Sequence, residues 1–244
     1  MRAARWASSS SLRSNTAFAV RARRVLEAPA GPLKQPVTTN GISARYLRIP
    51  YVEKGMAVGL FGGSFNPPHA GHALASEIAL RRLGLQQLWW MVTPGNPLKD
   101  TRELAPLAKR IAASEALAED PRIKITAFEA SHQVRFTADT IDLVRSRRPG
   151  VNFVWIMGAD GLRDFHRWER WREIARSIPI AVIDRPGSTL AFLSSIMAKT
   201  FDYARIDEAD APLLARMRPP AWTFIHGPRS SLSSTAIRNA AEQP

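Results

Sequence analysis

The strongest constraint on this chain is the run Gly59-Leu-Phe-Gly-Gly-Ser-Phe-Asn-Pro-Pro-His-Ala-Gly-His72. The residues leading into it, Met56-Ala-Val-Gly-Leu-Phe61, are short, apolar and partly β-branched or aromatic, the signature of a buried parallel strand. Those leaving it place His72, Leu74, Ala75, Ile78, Ala79, Arg82 and Leu83 at helical spacing. The run is therefore a strand, a glycine turn and a helix N-terminus, an arrangement that binds anions through first-turn amides and the helix dipole. Gly62 and Gly63 let the backbone approach a ligand closely, and Ser64 and Phe65 continue the turn. His69 and His72 are three apart, which puts both imidazoles on one face of the first helical turn. There they can stabilise charge developing on a phosphate oxygen, and neither needs to act as a base. The alternative is a plain glycine turn with two solvent-exposed histidines. No Gly-Lys-Ser/Thr closes the turn as in a P-loop, and it is not the dinucleotide-binding Gly-x-Gly-x-x-Gly. A metal centre would need a third ligand that this spacing does not supply.

Strand and helix patterns alternate downstream. Gln87–Val92, Arg122–Thr126, Val151–Met157, Ser177–Ile183 and Ala221–Ile225 read as strands, and Pro106–Leu117 and Phe136–Val144 as helices, the latter capped by Thr137 or Asp139. Alternating β and α implies a parallel sheet, in which ligands bind outside the carboxyl ends of the strands. Four loops fall there. Thr93-Pro-Gly-Asn-Pro-Leu-Lys99 offers Lys99 to a phosphate, or merely to solvent. Gly158-Ala-Asp160 puts a carboxylate where it can bind a ribose hydroxyl or a magnesium-bound water, or cap the next helix. Asp184-Arg-Pro-Gly187 follows the next strand. After Gly227-Pro, Ser231-Leu-Ser-Ser-Thr-Ala-Ile-Arg238 reads as hydroxyl caps and a helix start, a second anion site with an arginine one turn on, or an ordinary capped helix.

Between two of these strands lies Phe165-His-Arg-Trp-Glu-Arg-Trp-Arg172, where Trp168 and Trp171 are expected to share a helix face, one ring in the core and the other open to a flat ligand. Leu190–Ala198 is expected to be helical, and the acidic Asp207-Glu-Ala-Asp210 to lie on the surface.

Charge and composition narrow the partners. Of the formal net charge of +13, residues 1–55 carry +8, from ten Lys or Arg against two Glu. That stretch, with Ser8–Ser11, Arg21-Ala-Arg-Arg24 and a Pro/Gly/Thr-rich run over 29–41, lacks a sustained apolar period and is expected to be a disordered basic extension ahead of a single domain over 56–244. Its composition also fits an organelle transit peptide, and translation starting at Met56 is a third reading. A basic chain can bind nucleic acid, but the excess sits in the extension, so no nucleic-acid partner is expected. With no cysteine, disulfides and thiolate metal sites are excluded. No apolar run approaches the roughly 20 residues of a membrane helix, so no membrane partner is expected and the cytoplasm is the expected location. A homo-oligomer is compatible with this composition.

Taken together, the Gly-x-Phe-x-Pro-x-His-x-Gly-His pattern over 63–72 and Ser233-Ser-Thr-x-x-Arg238 resemble the two motifs of the nucleotidyltransferase superfamily that carries the His-x-Gly-His pair. With Thr93-Pro-x-Asn-Pro-Leu-Lys99, Met157-Gly-Ala-Asp160, the Trp168 region and Arg185-Pro-Gly187, the likeness is to bacterial nicotinate-nucleotide adenylyltransferases, over about residues 56–241. The resemblance implies a Rossmann-like α/β domain with helices on both faces of a parallel sheet. It further implies transfer of AMP from ATP, with magnesium, to nicotinate mononucleotide, releasing pyrophosphate.

In that scheme Gly62, Gly63, Ser64 and Phe65 cradle ATP and His69 and His72 stabilise the reacting phosphates. Ser234, Thr235 and Arg238 hold the outer phosphates, and Asp160 contacts ribose or hydrated magnesium. On the acceptor side, Lys99 meets phosphate, Trp168 stacks on the nicotinate ring and Thr137 reads its carboxylate. Nicotinamide mononucleotide and phosphopantetheine are the alternative acceptors. One departure is Asn66, where many members carry Asp.

Overall fold

The alternating pattern closes into one parallel sheet in the computed structural model, which describes residues 37–38, 41–95, 104–184 and 195–227. Two short strands, β1 (Val37–Thr38) and β2 (Ile42–Ser43), pair antiparallel ahead of it. Six strands follow: β3 (Ala57–Gly63), β4 (Gln87–Val92), β5 (Ile123–Thr126), β6 (Asn152–Gly158), β7 (Ile180–Ile183) and β8 (Trp222–Ile225). They are parallel throughout, in the order β5-β4-β3-β6-β7-β8. The chain winds outward from β3 to β5, then restarts on the other side of β3 with β6. This is a Rossmann-like doubly wound sheet, and its switch point is the crevice beyond the carboxyl ends of β3 and β6.

Both faces are apolar because both are covered. Val58, Leu60, Trp89, Met91, Phe153, Trp155, Val182 and Phe224 point to one layer, while Ala57, Phe61, Leu88, Trp90, Val154, Ile156, Ala181 and Ile225 point to the other. The second layer is closed by α1 (Ala70–Arg82), α2 (Leu107–Leu117) and a 3-10 helix, Glu208–Arg216, through Ile78, Ala79, Ile111 and Leu214. The first is closed by α3 (Phe128–His132), α4 (Thr137–Arg147), α5 (Ala159–Asp164), α6 (Trp171–Ser177) and α7 (Ile196–Thr200), through Phe128, Ile141, Leu162, Ile174 and Met197.

Two expectations change. Residues 41–55, assigned to the extension, are packed against the domain. Ile42, Tyr46 and Val52 are buried in the two layers, and the Tyr46 carbonyl accepts Ala127 N (2.7 Å) and Thr126 Oγ1 (3.1 Å). The Tyr46 hydroxyl donates to Glu115, which Arg45 also grips at 2.7 Å. The strand expected from Ser177 starts at Ile180, because Ser177 ends α6 with its hydroxyl on Ile174 O (3.0 Å). The acidic run lies at the surface as expected, where Asp207 caps the 3-10 helix through Ala209 N (2.8 Å) and Glu208 accepts His226 N (2.9 Å) just after β8.

One buried group has no partner in α2. The Ser114 hydroxyl is fully buried with no hydrogen bond, so Ser114→Ala removes a desolvated donor and improves helix propensity. It is expected to stabilise the fold by about 0.5–1 kcal/mol. Thermal unfolding of the variant tests this, and a lower midpoint would mean that the hydroxyl is satisfied.

Candidate active site

His69 is the N-cap of α1, in extended backbone (φ −148°, ψ 167°), and its Nδ1 accepts the Gly71 N–H at 3.1 Å. Three residues on, His72 Nδ1 reaches back to accept the His69 N–H at 3.2 Å. This is a capping box built from two imidazoles in place of the usual hydroxyl and carboxylate. It has a chemical consequence. A nitrogen that accepts from a backbone N–H carries no proton, so both rings are fixed as the tautomer bearing hydrogen on Nε2. The rings lie 3.9 Å apart between centroids, at the carboxyl end of β3 and hence at the switch point. The helix start thus offers two oriented side-chain N–H donors beside its own first-turn amides, all suited to an anion.

Aromatic packing holds this turn from behind. Phe65 is buried, its ring 4.8 Å from that of His72 and stacked on Trp90 at 5.0 Å. Trp90 Nε1 donates to Ser76 Oγ (2.7 Å), which donates to His72 O (2.8 Å). Phe65 sits in the left-handed region (φ 45°), a conformation costing a non-glycine residue about 1 kcal/mol or more that buried ring packing offsets.

From the other side, Arg110 of α2 is buried and spans three segments. Its guanidinium donates to Ser64 O (2.7 Å), Thr93 O (2.8 Å) and Ala105 O (2.8 Å). Burial lowers its pKa to about 10, so it is still a cation at neutral pH. Asn66 Oδ1 accepts Ala105 N (3.1 Å). An Asp would offer the same acceptor oxygen, so the Asn does not alter this contact.

Across the crevice, Asp160 lies exposed in the first turn of α5, beyond β6. Glu129 of α3 accepts the Thr140 hydroxyl (2.7 Å), and burial raises its carboxyl pKa despite that bond.

The chain matches the cytidylyltransferase-like family over residues 60–240. It is 77% identical over 194 residues to a protein of Mesorhizobium japonicum named as a probable nicotinate-nucleotide adenylyltransferase, covering 80% of this chain and all of that one. A Brucella abortus protein of the same name is 72% identical over 183 residues, covering 75% and 94%. The chain belongs to the nicotinate-nucleotide adenylyltransferase family. Among solved structures, Plasmodium falciparum nicotinic acid mononucleotide adenylyltransferase, complexed with APC or with NaAD, shares the fold. In both cases the TM-score is 0.55 over 75% of this chain and 83% of that one, with 16% and 19% identity.

Within this family member, the structure brings His69, His72, Ser64 and Asp160 to the carboxyl edge of β3 and β6. Lys99, Ser234, Thr235 and Arg238 lie outside the described residues. Several expected roles change. Phe65 has its side chain in the core, where the ring supports His72 and only its backbone is left to face a ligand. A Cβ on Gly62 would come 2.9 Å from the Trp155 ring, and one on Gly63 would come 3.2 Å from that of Phe65. Their smallness therefore accommodates aromatic packing behind the turn as well.

Neither Thr137 nor Asp139 caps α4: the N-cap is Phe136, without a side-chain bond, and Thr137 is the first helical residue. Trp168 and Trp171 do not share a helix face, because Arg170 turns left-handed (φ 55°) between them. Trp171 is core as expected for one of the pair, and Trp168 is half-buried, edge-on to Trp155 and Phe165.

Arg110, Trp90, Ser76 and Glu129 were not anticipated. Arg110 had a signal: with Leu107, Ile111, Ser114 and Leu117 it falls on the inward stripe of α2, where an arginine needs a reason. Among the described residues no group of three His, Asp or Glu could hold a metal, and no helix is long and apolar enough to cross a membrane.

Proposed function

We propose that the chain transfers the adenylyl group of ATP to nicotinate mononucleotide, giving nicotinate adenine dinucleotide and pyrophosphate. The observation that carries this is the pair of imidazoles locked as Nε2–H donors at the head of α1, on the switch point of the sheet. A mononucleotide phosphate oxygen attacks the α-phosphorus of ATP, a P–O bond forms, and the bond from the α-phosphorus to the bridging oxygen breaks with its electron pair leaving on pyrophosphate. Such a reaction needs alignment and charge stabilisation rather than an enzyme nucleophile.

His69 and His72 donate to the α-phosphate region, where negative charge moves onto bridging and equatorial oxygens. Neither takes a proton, since each Nδ1 is occupied by a backbone N–H. Gly62 to Ser64 form the floor beneath the triphosphate, and Ser234, Thr235, Arg238 and Lys99 complete its cradle. Trp168 presents a flat face to the pyridine ring, and the start of α4 at Thr137 receives its carboxylate. Magnesium accompanying the triphosphate fits a site with one exposed carboxylate at the crevice: Asp160 would hold it through water, and the ion supplies charge neutralisation.

The test is pyrophosphate release from ATP and magnesium with nicotinate mononucleotide, nicotinamide mononucleotide or phosphopantetheine supplied separately. Release at least tenfold faster with the first is the expected outcome. Equal or faster release with another acceptor would overturn the substrate and keep the chemistry.

A further inference from the structure

The turn between Trp168 and Trp171 is held by a charge cluster that the transfer chemistry does not use. Arg170 stands in the left-handed region (φ 55°, ψ 32°) as the N-cap of α6. Glycine would adopt this backbone at no cost. Arginine adopts it while directing its guanidinium at three carboxylates: Nε donates to Glu173 Oε2 (2.8 Å), one terminal nitrogen to Asp139 Oδ1 (2.8 Å) and the other to Asp142 Oδ2 (3.2 Å). All four side chains are substantially exposed, with Arg170 at 38% and the carboxylates at 46–61%, so the network adds little to global stability.

Its geometry does something else. Glu173 lies on the helix that Arg170 itself caps, but Asp139 and Asp142 lie on α4, in and just after the turn that begins with Thr137. Arg170 is two residues from Trp168, whose backbone is tied at both sides, its N–H to Phe165 O (3.0 Å) and its carbonyl to Trp171 N (3.2 Å). Trp171 is anchored in the core. The segment carrying Trp168 is therefore fixed to the sheet at its far end by Trp171 and to the head of α4 by Arg170.

We propose that Arg170 is a positioning residue for the acceptor, setting the distance between the Trp168 face that stacks on the pyridine ring and the α4 terminus that reads the ring's acidic substituent. This rests on the proposed function above and assigns it a specificity element: an acid and an amide differ only at that substituent, so a loosened spacing costs the acid its advantage. A rigid fork with three directed N–H bonds suits such a strut better than a flexible ammonium.

The experiment is steady-state kinetics of the full chain with each substrate varied in turn, for Arg170→Ala, Asp139→Ala, the double variant, Arg170→Lys and Glu173→Ala. Arg170→Ala and Asp139→Ala are each expected to raise KM for nicotinate mononucleotide about fivefold or more, with KM for ATP within twofold and a narrowed preference over nicotinamide mononucleotide. The double variant should be no worse than the poorer single one, because both remove the same strut. Arg170→Lys should recover part of the loss. Glu173→Ala, which does not span the two helices, should behave as wild type. The unfolding midpoint should shift by no more than about 2 °C in each, as for exposed pairs.

A mononucleotide KM within twofold of wild type in Arg170→Ala, or an equal rise in KM for ATP, overturns the strut. Wild-type chain that releases no pyrophosphate with nicotinate mononucleotide overturns the proposed function instead.

Discussion

Replacing His72 with alanine is expected to lower kcat by about two orders of magnitude or more, within the range for removing one preorganised transition-state donor. The side chain has two jobs, and they separate by size. As a cap it accepts the His69 N–H at 3.2 Å, and losing a cap costs about 1 kcal/mol of stability. That is a midpoint shift of only a few degrees in a domain of this size. As a donor, its Nε2–H meets charge that builds up only during transfer, so its loss falls on kcat. Rates measured well below the midpoint, with both substrates saturating, distinguish the two. Activity within threefold of wild type would remove His72 from the mechanism.

The same double use makes part of this site legible in the sequence alone. Strand, glycines and histidines lie within fourteen consecutive residues, and a local motif keeps its meaning without tertiary information. β3, β4 and β6 were equally readable, since strands buried on both faces are continuous apolar runs. What escaped was non-local or lacked a propensity signal. Nothing in Glu169-Arg170 announces a left-handed backbone, so a continuous helix with Trp168 and Trp171 on one face was the natural expectation, and one residue's φ undid it.

Gly62 and Gly63 were assigned to a ligand because glycine next to a helix start usually means close approach. Here a Cβ would also crowd Trp155, 2.9 Å from that on Gly62, and Phe65, 3.2 Å from that on Gly63, the first almost a hundred residues away. Residues 41–55 were grouped with the basic extension by charge, although Tyr46-Leu-Arg-Ile-Pro-Tyr-Val52 already carries the apolar residues that the preceding stretch lacks. Their packing partners, Thr126 and Ala127, lie at the far edge of the sheet.

Arg110→Met should be the most destabilising single change considered, costing about 3–5 kcal/mol. The guanidinium donates to Ser64 O, Thr93 O and Ala105 O, which belong to the turn after β3, the end of β4 and the approach to α2. Methionine fills similar space but leaves those part-buried carbonyls without their donor, and each unsatisfied acceptor costs up to about 1–3 kcal/mol where water does not replace the donor. Arg110→Lys keeps the charge but has one nitrogen to serve carbonyls in three directions, so its cost should fall between the two. The denaturant midpoint should drop with an unchanged slope, because the unfolded chain exposes the same surface.

Catalysis should fall as well, at temperatures where the variant is folded. Releasing Ser64 O frees the turn that keeps Phe65 in its left-handed conformation, and the Phe65 ring is the wall against which His72 is oriented. An unchanged midpoint in Arg110→Met would show that the three carbonyls find other partners. Lost stability with full kcat would show that the histidine pair is held by its own capping box and by Trp90 through Ser76, independently of the cation beneath.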